Sequence, residues 1–221
     1  MPNDDKCFDR KDKILLVEGQ EDIYTIAELM DRHIKWPSPP ATPPVCIRDA
    51  KSIDTLLKKD YLSGHIKAHE AQIIGILVDA DISALSRWNS LKNSLVNFLK
   101  EFPENPIPDG FIANSINNKR IGIWIMPDNK SPGMLETCLS TLITGDEKIW
   151  EMAEAYAMNA FLKDAPFKDV HYAKACIHTW LAWQDPPGER FGTALKKKIF
   201  NSNSELTNKF VEWFKSLYEI S

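Results

Sequence analysis

The chain has 221 residues, 43% hydrophobic and 26% charged, the balance of an ordinary globular protein with enough material for one substantial core. Its formal net charge of −4 excludes a general attraction to nucleic acid or anionic membrane, so a polyanionic partner needs a local basic patch or bound cations. No apolar run approaches the roughly 20 residues of a membrane span, and Met1-Pro2-Asn3-Asp4-Asp5 is too polar and acidic for a signal peptide, which predicts a cytoplasmic protein.

Residues 1–12 are polar and predict a loosely packed lead-in. Residues 13–17 read as a buried strand and Gly19 as the turn after it. A helix is expected over 21–35, where Ile23, Ile26, Ala27, Met30 and Ile34 recur at helical spacing. Residues 36–44 hold five prolines and predict a stiff, extended connector, either a plain surface loop or a segment for a proline-binding partner. A short strand is expected over 45–48 and a helix over 52–62. Residues 72–78 form a continuous apolar run, as in the middle of a parallel sheet covered on both faces. An amphipathic helix follows over 83–101, with Leu85, Trp88, Leu91, Leu95, Phe98 and Leu99 on one side and Arg87, Lys92 and Lys100 on the other. Two strands, 111–115 and 120–126, read as a hairpin turned at Ile116-Asn117-Asn118-Lys119. Beyond a Pro132-Gly133 loop the remaining segments, 148–162, 168–183, 193–199 and 205–218, all read as helices.

Strands alternating with helices predict an α/β fold with a mainly parallel sheet, helices on both faces and one β-hairpin. A core over 13–145 would carry a helical C-terminal extension, 146–221, packed upon it. The four cysteines, Cys7, Cys46, Cys138 and Cys176, are scattered without a Cys-x-x-Cys pair, which argues against a zinc ribbon and for reduced thiols.

Two apolar runs end in acid: Leu15-Leu16-Val17-Glu18-Gly19 and Ile76-Leu77-Val78-Asp79-Ala80-Asp81. In an open α/β sheet ligands bind outside the carboxyl ends of the strands, so both acidic ends should reach the same edge. In extended chain Asp79 and Asp81 would point the same way. Three gathered carboxylates repel one another, and a hard cation relieves that repulsion. Oxygen-only ligands suit Mg²⁺ or Mn²⁺. For any single acid after a strand the competing reading is a helix cap or a solvated loop residue.

This pattern resembles the Toprim domain, which carries a glutamate after its first strand and an Asp-x-Asp after a later one. Leu16-Val17-Glu18-Gly19 matches the first motif and Val78-Asp79-Ala80-Asp81 the second, and the resemblance covers roughly residues 13–145. With Ile123-Trp124-Ile125-Met126-Pro127-Asp128-Asn129 and Pro132-Gly133-Met134-Leu135-Glu136 included, the whole chain looks like stand-alone bacterial Toprim-related proteins, similar to overcoming-lysogenization-defect-type nucleases. The resemblance implies a Toprim-like catalytic core that hydrolyses phosphodiesters of DNA or RNA with Mg²⁺ or Mn²⁺. Glu18 would be a metal ligand or general acid/base, and Asp79 and Asp81 would be catalytic metal ligands. Asp22 would supply another oxygen, and Glu136 would serve a second metal. Service in phage defence beside a separate ATPase chain is also implied, since no Gly-x-x-x-x-Gly-Lys phosphate loop occurs here. None of the five tyrosines, Tyr24, Tyr61, Tyr156, Tyr172 and Tyr218, lies in a winged-helix module, which argues against topoisomerase chemistry. The alternative is a non-catalytic Toprim scaffold that binds nucleotide, nucleic acid or a partner protein. A phosphotransfer receiver fits the order of the acids poorly.

Arg190 and Lys196-Lys197-Lys198 are the candidate phosphate contacts, against the plainer reading of a solvated helix face. His65, His69, His171 and His178 show no zinc spacing.

Overall fold

Ile73–Asp79 and Arg120–Met126 bury nearly every side chain, which a strand can do only when helices cover both sheet faces. The structure is a computed structural model and describes Cys7 and residues 10–37 and 41–221. Within it β1 (Lys13–Val17), β2 (Cys46–Asp49), β3 (Ile73–Asp79) and β5 (Arg120–Met126) are parallel, and β4 (Phe111–Asn114) lies antiparallel beside β5. The order across the sheet is β2-β1-β3-β5-β4. The α/β reading of the sequence holds, including the hairpin, whose turn places Asn118 at a positive φ that asparagine tolerates.

Side chains alternate between the two faces along each strand. Leu15 and Val17 face one core with Trp124 and Met126, while Ile14 and Leu16 face the other with Ile123 and Ile125. The second core is closed by α2 (Ile53–Leu56), α3 (Lys59–Lys67) and α4 (Ala84–Leu95), through Leu56, Leu62, Ile66, Trp88 and Leu91. The first is closed by α1 (Gln20–Asp31), α5 (Leu135–Ser140), α7 (Tyr172–Ala182), α8 (Phe191–Lys196) and α9 (Glu205–Tyr218). Between α5 and α7, α6 (Glu147–Phe161) packs along α7 and buries only Ala153 and Ala157.

Two of the expected helices change shape. The helix expected over 52–62 is two, α2 and α3, with the chain turning at Leu57 and Lys58; Ser52 caps α2 by accepting the Thr55 N–H at 3.2 Å. The helix expected over 83–101 ends at Leu95. Phe98 and Leu99 remain buried, but in a turn from which the Phe98 carbonyl accepts the Ile116 N–H and joins the hairpin.

Helix α9 seats on a groove made by glycines. Gly75 and Gly122 are direct partners in the β3–β5 register, and a Cβ at Gly75 would run into Tyr218, one at Gly122 into Leu217. The buried Tyr218 hydroxyl donates to the Ile14 carbonyl at 2.8 Å. The helices after residue 146 therefore supply the cover of one sheet face.

Cys7 and Cys46 are joined by a disulfide, while Cys138 and Cys176 are buried free thiols, so the expectation of four reduced thiols does not hold. Distance in sequence misled because parallel pairing of β1 with β2 brings the lead-in beside Cys46; the Arg10 guanidinium also donates to the Pro43 carbonyl there, at 3.0 Å. The centre of the proline-rich connector, residues 38–40, lies outside the described residues, as do residues 1–6 and 8–9 of the lead-in. Among the described residues no helix is long and apolar enough to cross a membrane.

Candidate functional site

The chain leaves β1 through α1 to β2 on one side, while β3 sits on the other. The connection thus reverses between β1 and β3, and an open parallel sheet has its ligand crevice at such a point, outside the strands' carboxyl ends. Glu18 follows β1 there and Asp79 ends β3. A Glu18 oxygen accepts the Asp79 N–H at 2.8 Å. One turn into α1, Asp22 accepts the Gly19 N–H at 2.7 Å and so closes the helix start. Asp79 accepts the N–H of Leu135, at the first turn of α5, at 2.9 Å. Each of the three carboxylates thereby spends one oxygen on a backbone N–H and keeps its second. Together with Met126 and Leu135 they line a cavity of about 10 Å³, roughly the room of one water or ion.

Burial sets the electrostatics of this cavity. It pushes the Glu18 carboxyl up to about 7, against the pull of the Asp79 N–H and the Arg87 charge, and Asp22 and Asp81 add repulsion. Asp22 rises to about 6, again through burial first, with the charge of Glu136 reinforcing it over the pull of the Gly19 N–H. Asp79 is held well above the ordinary carboxylate range by burial and by the charges of Glu18, Asp22 and Glu136. Three acids that resist ionisation around one small space are a donor set suited to a hard cation, whose charge removes both penalties. Among the described residues no three such side chains are already drawn together as a metal cage.

Asp81 does not sit beside Asp79 as extended chain would place it. The strand stops at Asp79, Asp81 takes a φ of +52°, and its backbone pairs with Gly133 in both directions, at 2.9 and 2.7 Å. Its carboxylate meets Arg87 at 2.5 Å, and the same guanidinium donates to the Asp79 carbonyl at 2.8 Å. Arg87, only 13% exposed, therefore clamps the acidic loop. Glu136 lies in the first turn of α5, 6% exposed, and pairs with Lys174 of α7 at 3.0 Å. Its charge reaches Asp22 and Asp79, but its nearest cation is this lysine. Asp128 accepts the N–H groups of Lys130 and Ser131 as a turn residue. Arg87 and Lys174 are the site's two cations. Ser83, a capping residue type that accepts the Ser86 N–H, is a local signal that sets Arg87 in the first turns of the helix after the acids; nothing local points from Glu136 to Lys174.

The basic candidates separate. Lys197 is held by Glu189, and Lys198 has left the helix at a φ of +62°. Arg190 and Lys196 line a second, larger cleft of about 690 Å³ between α8 and the outer side of α1, opposite Gln20, Glu21, Tyr24 and Glu28.

No curated protein and no solved structure matches the chain. One family model does, and it runs through the sheet and the helices after it without a break. By that match, over residues 12–219, the chain belongs to the family described as "Protein of unknown function (DUF3226)".

Proposed function

We propose that the chain is a Mg²⁺- or Mn²⁺-dependent phosphodiesterase of Toprim type that hydrolyses DNA or RNA at the β1/β3 crevice. The observation that carries this reading is the gathering of Glu18, Asp22 and Asp79 around one small cavity at the reversal point of the sheet. Asp79 and Asp22 would hold the cation, each through the oxygen its backbone hydrogen bond leaves over. When bound, a hard divalent ion supplies Lewis-acid polarisation of the phosphate and lowers the pKa of a bound water. Glu18, titrating at about 7, is tuned to take a proton from the attacking water near neutral pH. Arg87 holds the Asp81 carboxylate in an ion pair, outside the cavity that Glu18, Asp22 and Asp79 line. Glu136 would join a second ion only by giving up Lys174. The phage-defence role and the separate ATPase partner follow from the Toprim resemblance.

A second reading, a non-catalytic Toprim scaffold, draws on the structural work these acids already do. Asp22 closes the start of α1, Asp79 ties β3 to α5, and Glu18 ties β1 to β3. Cleavage of plasmid, single-stranded DNA and tRNA with Mg²⁺ or Mn²⁺ separates the two. The phosphodiesterase reading expects cleavage that Glu18→Gln and Asp79→Asn each reduce by about 100-fold or more, the scale of a lost general base. Equal rates for wild type and both variants, or no cleavage together with no heat of Mn²⁺ binding by calorimetry, leave the scaffold.

A further inference from the structure

The 690 Å³ cleft between α1 and α8 is of the size that small ligands and single nucleotides occupy, and the acidic cavity does not use it. Its walls differ in charge. Arg190 and Lys196 stand on the α8 side, and Glu21 and Glu28 on the α1 side. Among the described residues no ion pair joins these four, whereas neighbouring Lys197 is paired with Glu189. Charges that line one cleft and stay apart are available to an occupant bearing both an anionic group and hydrogen-bond donors. Tyr24, 42% exposed, lines the same cleft. The floor is fixed, since Gly192 packs so close under Tyr24 that a Cβ there would lie 3.1 Å from the Tyr24 carbonyl oxygen. Cleft and acidic cavity share the first turn of α1: Gln20 and Glu21 line one, Glu18 and Asp22 the other.

We infer that this cleft holds the nucleotide flanking the bond to be cut, so that the substrate is single-stranded nucleic acid; the role of that nucleotide rests on the phosphodiesterase reading. Arg190 and Lys196 take its phosphates. Tyr24 takes the face of its base, as aromatic rings do on single-strand binders. Glu21 and Gln20 accept from base amino groups. A duplex cannot use the site, because its bases are stacked and paired and offer no face to Tyr24 without being flipped out. The two glutamates also disfavour a continuous run of phosphates along the cleft.

Fluorescence anisotropy in EDTA tests this without any turnover. The probes are a fluorescein-labelled 12-nucleotide single strand, as DNA and as RNA, and the corresponding duplex, each titrated with the full chain at several salt concentrations. The expected result is that a single strand binds at least ten-fold more tightly than the duplex. Arg190→Ala with Lys196→Ala should weaken strand binding about ten-fold and flatten the salt dependence by about 1.4 in log–log slope, 0.7 per phosphate lost. Tyr24→Leu should weaken it roughly ten-fold at unchanged slope, and Lys197→Ala should change it less than two-fold. Melting curves check that the variants remain folded. Duplex binding as tight as the strand, or a double variant that binds like wild type, overturns the inference. Cleavage by a double variant with wild-type binding removes the cleft and keeps the phosphodiesterase. Strand binding that depends on Arg190 and Lys196, with no cleavage by wild type, removes the phosphodiesterase and keeps the cleft as a strand-binding site.

Discussion

Replacing Glu18 by glutamine should make the metal-free protein more stable, and increasingly so as pH rises. The Glu18 carboxyl titrates at about 7 in the folded chain against an ordinary value of 4.5. Below pH 4.5 it is protonated in both folded and unfolded states and costs nothing. Between 4.5 and 7 the folded chain holds a proton that the unfolded chain has released, so stability falls with rising pH. Above 7 both states are ionised and the loss is complete. At 1.36 kcal/mol per pH unit that loss is about 3 kcal/mol, an order-of-magnitude figure. Glutamine keeps an oxygen to accept the Asp79 N–H, which Glu18 now receives at 2.8 Å, but carries no charge to desolvate. Urea unfolding in EDTA at pH 4 and pH 8 is the assay. The variant should match wild type at pH 4 and exceed it by roughly 2–3 kcal/mol at pH 8. A variant no more stable than wild type at pH 8, or wild-type stability that rises from pH 5 to pH 8 in EDTA, would refute the burial argument for this carboxyl.

Gly122→Ala places a methyl group against Leu217 and should lower stability by about 1–3 kcal/mol, the range for overpacking a filled core. In a chain of this size that is a drop of roughly 3–10 °C in Tm, and a melt unchanged within 1 °C would show that α9 yields freely. Lys174→Met leaves the buried Glu136 carboxylate without its cation and should cost about 1–2 kcal/mol, moderated because the lysine is half exposed. Adding Glu136→Gln to that variant should restore most of the loss; a double variant as weak as the single one would mean that the lysine acts through its packing.

The sheet was readable because its strands announce themselves by burial. Apolar runs at 13–17 and 72–78 could only be strands covered on both faces, and strand direction then forces Glu18 and Asp79 to one edge. Asp22 was a role implied by the Toprim resemblance, and it lines the same cavity as Glu18 and Asp79. What escaped depends on how the backbone leaves a strand. Asp81 turns away because it adopts a positive φ and pairs with Gly133, a choice made by a loop 52 residues further on and not by its own neighbours. Lys174 escaped for a similar reason, since the packing of α7 on α5 sets its distance from Glu136. In the Lys196-Lys197-Lys198 run all three residues look alike in sequence, yet one lines the cleft, one is paired and one has left the helix. The pattern of the late helices showed that each has an apolar side without showing that these sides would close the face of β3 and β5.

That closure has a consequence for the order in which the molecule can form. The Tyr218 hydroxyl reaches the Ile14 carbonyl across 204 positions of chain, and α9 sets Leu217 and Tyr218 against the glycine groove of β3 and β5. Until residue 218 has been synthesised, a growing chain carries that groove without Leu217 and Tyr218 seated in it. Contacts this distant in sequence slow folding, and apolar strand surface left waiting invites association with other chains. Nascent chains stalled before α9 should therefore be the form most in need of chaperones.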